Sequence, residues 1–229
     1  MSKPIALIFG AGKNIGAATA QAFKTNGFRI AQVARSLDPT GSNDEDLYLI
    51  ADLAHTGAVS EAFASVRKSW GEPSVVVYNA AAAHFVGASN PFTVSEEDFA
   101  EDLAVNTTSA YAAMKESVAS FQTLPDSAAK MFLYTGNKLN TPGVVMPALF
   151  TLGTGKVATS HVIESAAQAY KDKGFRFYYV DQRTAEGGSV NISTLSGEGH
   201  AEFFMSLIEG GGNVPWLATF VKDKGYTKF

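Results

Sequence analysis

The apolar run Pro4-Ile5-Ala6-Leu7-Ile8-Phe9 leads directly into Gly10-Ala11-Gly12-Lys13-Asn14-Ile15-Gly16, and Ala17 to Phe23 continue at helical spacing. A buried strand, a glycine turn and a helix start in that order place free backbone N–H groups and the positive end of a helix dipole where a pyrophosphate fits. Side-chain bulk at the turn would close the space. A glycine turn alone is also an ordinary tight connection, so its position between strand and helix is what gives it meaning.

The same alternation runs through the chain. Strands are expected near Phe28–Ala34, Leu47–Ala51, Ser74–Tyr78, Lys130–Thr135 and Phe175–Val180, with helical patterns over Ala18–Thr25, Val59–Trp70, Glu96–Phe121 and Thr154–Lys171. Apolar runs separated by amphipathic stretches mean parallel βαβ units, an α/β sheet covered on both faces and right-handed crossovers. Gly27, Gly71 and Gly174 stand where helix C-cap glycines belong. The polar stretch Asp38–Asp46 reads as a surface loop, and Gly187–Gly199 as a flap or exposed loop.

Composition narrows the function. The 229 residues are 46% hydrophobic and 17% charged, enough for one domain over residues 1–229 with a sizeable core. Cysteine is absent, which excludes disulfides, thiolate ligands and a cysteine nucleophile. His55, His84, His161 and His200 lack metal-ligand spacing, so no metal is expected. A net charge of −4 offers no basic patch for nucleic acid. No apolar run is long enough for a membrane span, and a cytoplasmic protein without membrane contact is expected.

Ligands of such sheets bind beyond the carboxyl ends of the strands. After the second strand, Arg35 and Ser36 occupy the place where a carboxylate would select a free ribose 2′-hydroxyl; with Lys13 they suit a 2′-phosphate, favouring NADP(H) over NAD(H). Asp52 beside Leu53 can take an adenine amino group or cap the following helix. Asn79-Ala80-Ala81 puts small residues where a cofactor backbone passes, with Asn79 able to pin the loop.

These pieces, with Val105-Asn106-Thr107 and Gly155-Lys156, resemble the short-chain dehydrogenase/reductase family over nearly the whole chain. The resemblance implies a single-domain, doubly wound Rossmann fold with a seven-stranded parallel sheet, a nicotinamide cofactor on its carboxyl edge, and a homodimer or homotetramer built on the long helices. Asn14 stands at the motif's middle glycine, and asparagine tolerates positive φ better than most residues.

The resemblance also implies a departure at the chemistry. The family's tyrosine position, four residues before Lys156, holds Leu152, and its serine position aligns with Gly136, leaving Thr135 and Asn137 as polar neighbours. Lys156, Asn106 and Thr135 are the catalytic candidates. The proton for a reduction then comes from Lys156, from a water held by Asn106 and Lys156, or from His84 in the substrate loop. Thr184, past the sixth strand, is placed on the nicotinamide carboxamide; Asp181 and Arg183 either pair or line a polar pocket. The expected function is reduction of a small carbonyl or conjugated organic substrate. The alternative is a non-catalytic dinucleotide sensor.

Overall fold

Eight strands form one sheet in the computed structural model, which describes residues 3–55, 57–210 and 213–229. They are β1 (Ile5–Phe9), β2 (Arg29–Ala34), β3 (Asp46–Ile50), β4 (Val75–Tyr78), β5 (Met131–Thr135), β6 (Arg176–Arg183), β7 (Leu217–Val221) and β8 (Gly225–Tyr226). Their order is β3-β2-β1-β4-β5-β6-β7-β8. Every neighbouring pair from β3 to β7 is parallel. The expected seven-stranded parallel sheet gains a two-residue antiparallel edge, because the chain reverses after β7 through Asp223, at φ +61°, and Gly225 pairs back with Val221.

Strand residues alternate between two cores. Leu7, Phe9, Val76, Tyr78, Phe132, Tyr134, Phe177 and Tyr179 pack on one face; Ala6, Ile8, Val75, Val77, Met131, Leu133, Tyr178 and Val180 pack on the other. Burial on both faces is why these strands read as continuous apolar runs. The first face is covered by α2 (Ala58–Ser69), α4 (Ser109–Thr123) and α5 (Phe150–Ala169), through Phe63, Met114, Phe121 and Ile163. The second is covered by α1 (Ile15–Thr25) and α6 (Gly197–Ile208), through Phe23, Phe203 and Phe204. Gly27, Gly71 and Gly174 all have positive φ just past their helices.

Three helix and loop boundaries differ from expectation. The long helix from Glu96 is α3 (Glu96–Leu103), a π-helical turn over Ala104–Thr108, and then α4. The helix α5 begins at Phe150, ahead of the expected Thr154. The Gly187–Gly199 flap is cut short at Ser196, whose hydroxyl accepts from Gly199 N–H at 3.0 Å and caps α6. No helix among the described residues is long and apolar enough to cross a membrane.

Candidate active site

The ends of β1 and β4 meet at the glycine turn. Gly10 has φ +82°, and a Cβ there would lie 2.4 Å from Ala80 N; a Cβ on Gly16 would lie 2.6 Å from Ala11 Cα. Asn79 pins the turn by donating from Nδ2 to Gly10 O at 2.8 Å. Ala17 N–H donates to Gly12 O and Ala18 N–H to Asn14 O, so the N–H groups of Lys13 to Gly16 precede the first helical bonds. The α1 start has no side-chain cap and no acidic residue in its first turn. By contrast, α3 is capped by Ser95 and carries Glu96, Glu97 and Asp98. An uncapped N-terminus keeps its positive potential available to an anion.

Asn14 has φ −97°, so its tolerance of left-handed backbone is not used. Its amide instead donates to Leu195 O at 2.9 Å, joining the cradle to the segment that enters α6.

A polar cavity of about 620 Å³ extends from the turn along the ends of β2, β3 and β4, lined by Gly10, Arg35, Ser36, Asp52, Asn79 and His84 among others. Gly12, Leu53, Ala80 and Ala81 also face it. Arg35 and Ser36 are exposed on its rim. Lys13 lines a separate recess with Asn14 and Leu195–Glu198, so the two cations expected at one phosphate do not share a cavity. One Asp52 oxygen accepts from Ala54 N–H at 3.0 Å, capping the turn before α2.

Beyond β4 the site is built from side chains. Tyr78, Tyr134 and Tyr179 stand in register on β4, β5 and β6 and their rings follow one another at 5.9 and 5.6 Å. The π-helical turn loosens the usual i→i−4 pattern, and the phenols reach its carbonyls. Tyr78 donates to Val105 O at 2.6 Å and Tyr134 to Asn106 O at 3.1 Å; Thr159 also donates to Asn106 O, at 2.8 Å. The Asn106 side chain bonds both Ala82 N–H and Ala82 O, at 3.1 and 2.7 Å. These two bonds pin Asn106 to the loop after β4 and leave its second Nδ2 hydrogen unassigned.

Lys156 is buried under this row. Its Nζ donates to Thr135 O at 2.8 Å and lies 4.3 Å from the Tyr134 ring centroid. Burial pushes its pKa down to about 7, opposed by the Asp181 carboxylate. The Thr135 hydroxyl is buried with no partner. Leu152, half-buried, occupies α5 four residues before Lys156.

Sequence reading missed why Gly136 is glycine. A Cβ there would sit 2.0 Å from the Tyr179 ring, whose phenol accepts from Asn137 N–H and donates to Asn137 O at 2.8 Å. It also ended β6 too early. The strand continues through Asp181-Gln182-Arg183, paired with Thr219-Phe220-Val221 on β7. Asp181 and Arg183 form a buried ion pair, and Arg183 also donates to Gly187 O and Thr141 Oγ1, both at 3.2 Å. Burial raises Asp181 to about pH 6, against the pull of Arg183. The Thr184 hydroxyl accepts from Gly188 N–H at 3.0 Å, closing its own turn.

His84 follows the small residues after β4. Its backbone N–H donates to Asp102 Oδ2 at 2.7 Å, and its Nδ1 lies 3.0 Å from Asp102 Oδ1. Burial lowers its pKa, but the Asp102 bond and the charges of Asp98 and Glu101 outweigh that and raise it overall. Ligand atoms of His84, Asp98 and Glu101 fall within 4.8 Å of one another, a grouping that sequence spacing does not reveal. A second, apolar cavity of about 590 Å³ lies between residues 139–149 and α5, lined by Leu139, Val144, Met146, Phe150, Gly153 and Val157 among others.

Comparison with known proteins agrees with this geometry. The family model described as enoyl-(acyl carrier protein) reductase matches residues 10–187. The short chain dehydrogenase/reductase dmxR12 of Cryptosporiopsis sp. (strain 8999) is 42% identical over 240 residues, covering 100% of this chain and 96% of that protein. The fold is shared with a metagenomic short-chain oxidoreductase in complex with NADP (TM-score 0.78, 19% identity, 96% of each chain). It is shared also with the 3-ketoacyl-(acyl-carrier-protein) reductase of Brucella melitensis complexed with NADH (TM-score 0.77, 19% identity, 96% of this chain and 97% of that one). With a full-length relative above two-fifths identity and the glycine turn, Asn79 and Lys156 gathered on one sheet edge, the chain belongs to the short-chain dehydrogenase/reductase family of oxidoreductases.

Proposed function

We propose that this protein is an NADP(H)-dependent oxidoreductase acting on a small carbonyl or conjugated organic substrate, with proton delivery that does not use a phenol on α5. The observation that carries the reading is the uncapped glycine cradle together with a buried lysine on Thr135 O along one sheet edge. A dinucleotide fits these residues. Any Cβ at Gly10 or Gly16 would fill the cradle, and the buried Thr135 hydroxyl lacks a partner among the described residues.

In this reading the N–H groups of Lys13, Asn14, Ile15 and Gly16 hold the pyrophosphate over the open turn at Gly12. Arg35 and Ser36 take the 2′-phosphate, Asp52 and Leu53 the adenine, and Asn79, Ala80 and Ala81 the passing backbone. Lys156 holds the nicotinamide ribose, and Thr184 retains a hydroxyl proton for the carboxamide. When bound, the cofactor supplies the hydride. The apolar cavity beside the start of α5 suits the body of an organic substrate. Exposed Tyr111 on α4 and Val157 on α5 support a homodimer or homotetramer built on the long helices; the cytoplasm is the proposed location.

Purified protein with NADPH and a panel of aldehydes, diketones, quinones and enones tests the reading: at least one compound is expected to oxidise the cofactor catalytically. Tight NADPH binding with complete inertness would favour a dinucleotide sensor instead. Arg35→Asp is expected to weaken NADPH about tenfold to a hundredfold, the scale of one charge-assisted contact, while leaving NADH nearly unchanged. Equal weakening of both in calorimetric titrations would contradict the phosphate contact.

A further inference from the structure

We infer that His84, oriented by Asp102, is the acid that protonates the substrate oxygen during carbonyl reduction. This rests on the oxidoreductase reading above.

Asp102 is fully buried on α3 and spends both oxygens on His84, one on the backbone N–H and one on Nδ1. A carboxylate at Nδ1 keeps the hydrogen on that nitrogen and leaves Nε2 as the atom that gains and loses a proton. The imidazole is 41% exposed and faces the polar cavity shared with Gly10 and Ala80. Its Nε2 lies 3.6 Å from Asp98 Oδ1, outside hydrogen-bonding range.

The chain on either side of His84 is tied to Asn106 and to the approach to α5. Ala82 is held by Asn106 through two hydrogen bonds, and Val86 N–H donates to Ala148 O just ahead of α5. Competing donors are committed elsewhere. The phenols of Tyr134 and Tyr179 donate to the carbonyls of Asn106 and Asn137, and the Lys156 ammonium, held on Thr135 O, keeps its other N–H groups for the nicotinamide ribose. The groups facing the imidazole, Asp98, Glu101 and Asp102, are all acidic and favour its charged form.

The balanced step is short. The carbonyl carbon gains a hydride supplied by the reduced nicotinamide cofactor, which is oxidised; the C=O π pair moves to oxygen and takes the proton from His84 Nε2. The imidazole is left neutral and regains its proton from solvent.

The test is NADPH oxidation by the wild type, His84→Asn and Asp102→Asn between pH 5 and 9, with a reactive ketone or aldehyde and with an N,N-dialkyl iminium ion, whose reduction needs no proton. His84→Asn is expected to lower kcat for the carbonyl at least a hundredfold, flatten its pH profile, and spare both iminium reduction and NADPH affinity. Asp102→Asn is expected to move the alkaline limb of the profile to lower pH. In the wild type, a solvent deuterium effect is expected for the carbonyl and absent for the iminium ion, a readout that stands if a variant fails to fold. Carbonyl turnover by His84→Asn within threefold of wild type, or a wild-type carbonyl rate with neither alkaline limb nor solvent isotope effect, would overturn the assignment. A wild type that binds NADPH yet reduces nothing would fell the oxidoreductase reading itself, and this inference with it.

Discussion

The two halves of the carboxyl edge are made of different material. At the ends of β1 to β4 the recognition surface is largely backbone: a glycine turn, an uncapped helix start, and Asn79 holding Gly10 O. At the ends of β5 and β6 it is side chain: two phenols in register with Tyr78 of β4, a buried lysine on a carbonyl, and the Asp181–Arg183 pair. The first half tolerates no added atom at Gly10 or Gly16. The second depends on groups from separate strands and helices satisfying one another, so its residues stand or fall in sets.

That contrast predicts where single changes bite hardest. Gly10→Ala puts a methyl 2.4 Å from Ala80 N on a backbone at φ +82°. It is expected to abolish NADPH binding in titration calorimetry and to cost about 3 kcal/mol or more in urea denaturation. Wild-type binding by this variant would break the picture of a backbone-made half.

Lys156→Met sharpens the other half. A lysine whose folded pKa is near 7 binds its proton less readily than in the unfolded chain, so the fold gains stability as pH rises from 7 toward the lysine's ordinary 10.5. At pH 7 the charge is therefore a burden. The methionine variant is expected to be about 2–4 kcal/mol more stable there, with the advantage shrinking toward pH 10 and with carbonyl reduction lost. A destabilised Lys156→Met at neutral pH would show that the Thr135 bond outweighs the desolvation.

The smallest effect tests the set-wise character of this half. Gly136→Ser returns a side chain to a place the Tyr179 ring fills, with the Cβ 2.0 Å from it, and is expected to cost about 1–3 kcal/mol. Combining it with Tyr179→Ala should cost less than the sum of the two single changes, a coupling measurable in a double-mutant cycle. Strict additivity would separate the glycine from the tyrosine.

Much of the backbone-made half is legible in the chain because its requirement is the absence of atoms, and glycine is the residue that records an absence. The continuous apolar runs likewise announce a sheet buried on both faces, since each position needs only the right polarity. Asn79 could be read as a pin because its target, the neighbouring strand's turn, follows from parallel pairing. The eighth strand could not, for it turns on one left-handed Asp223.

What tertiary structure alone decided lies at contacts between residues distant in sequence. The chain names Tyr179 and Gly136, but only the register of β5 and β6 sets one ring over the other's missing side chain. It names Asn106, yet the π-helical turn, the Tyr134 phenol and the loop after β4 determine which neighbours its carbonyl and amide meet. His84 and Asp102 are eighteen positions apart and become a pair because α3 returns over the loop after β4. Composition and period follow from local physics; which polar groups remain free depends on who arrives beside them once the sheet has closed.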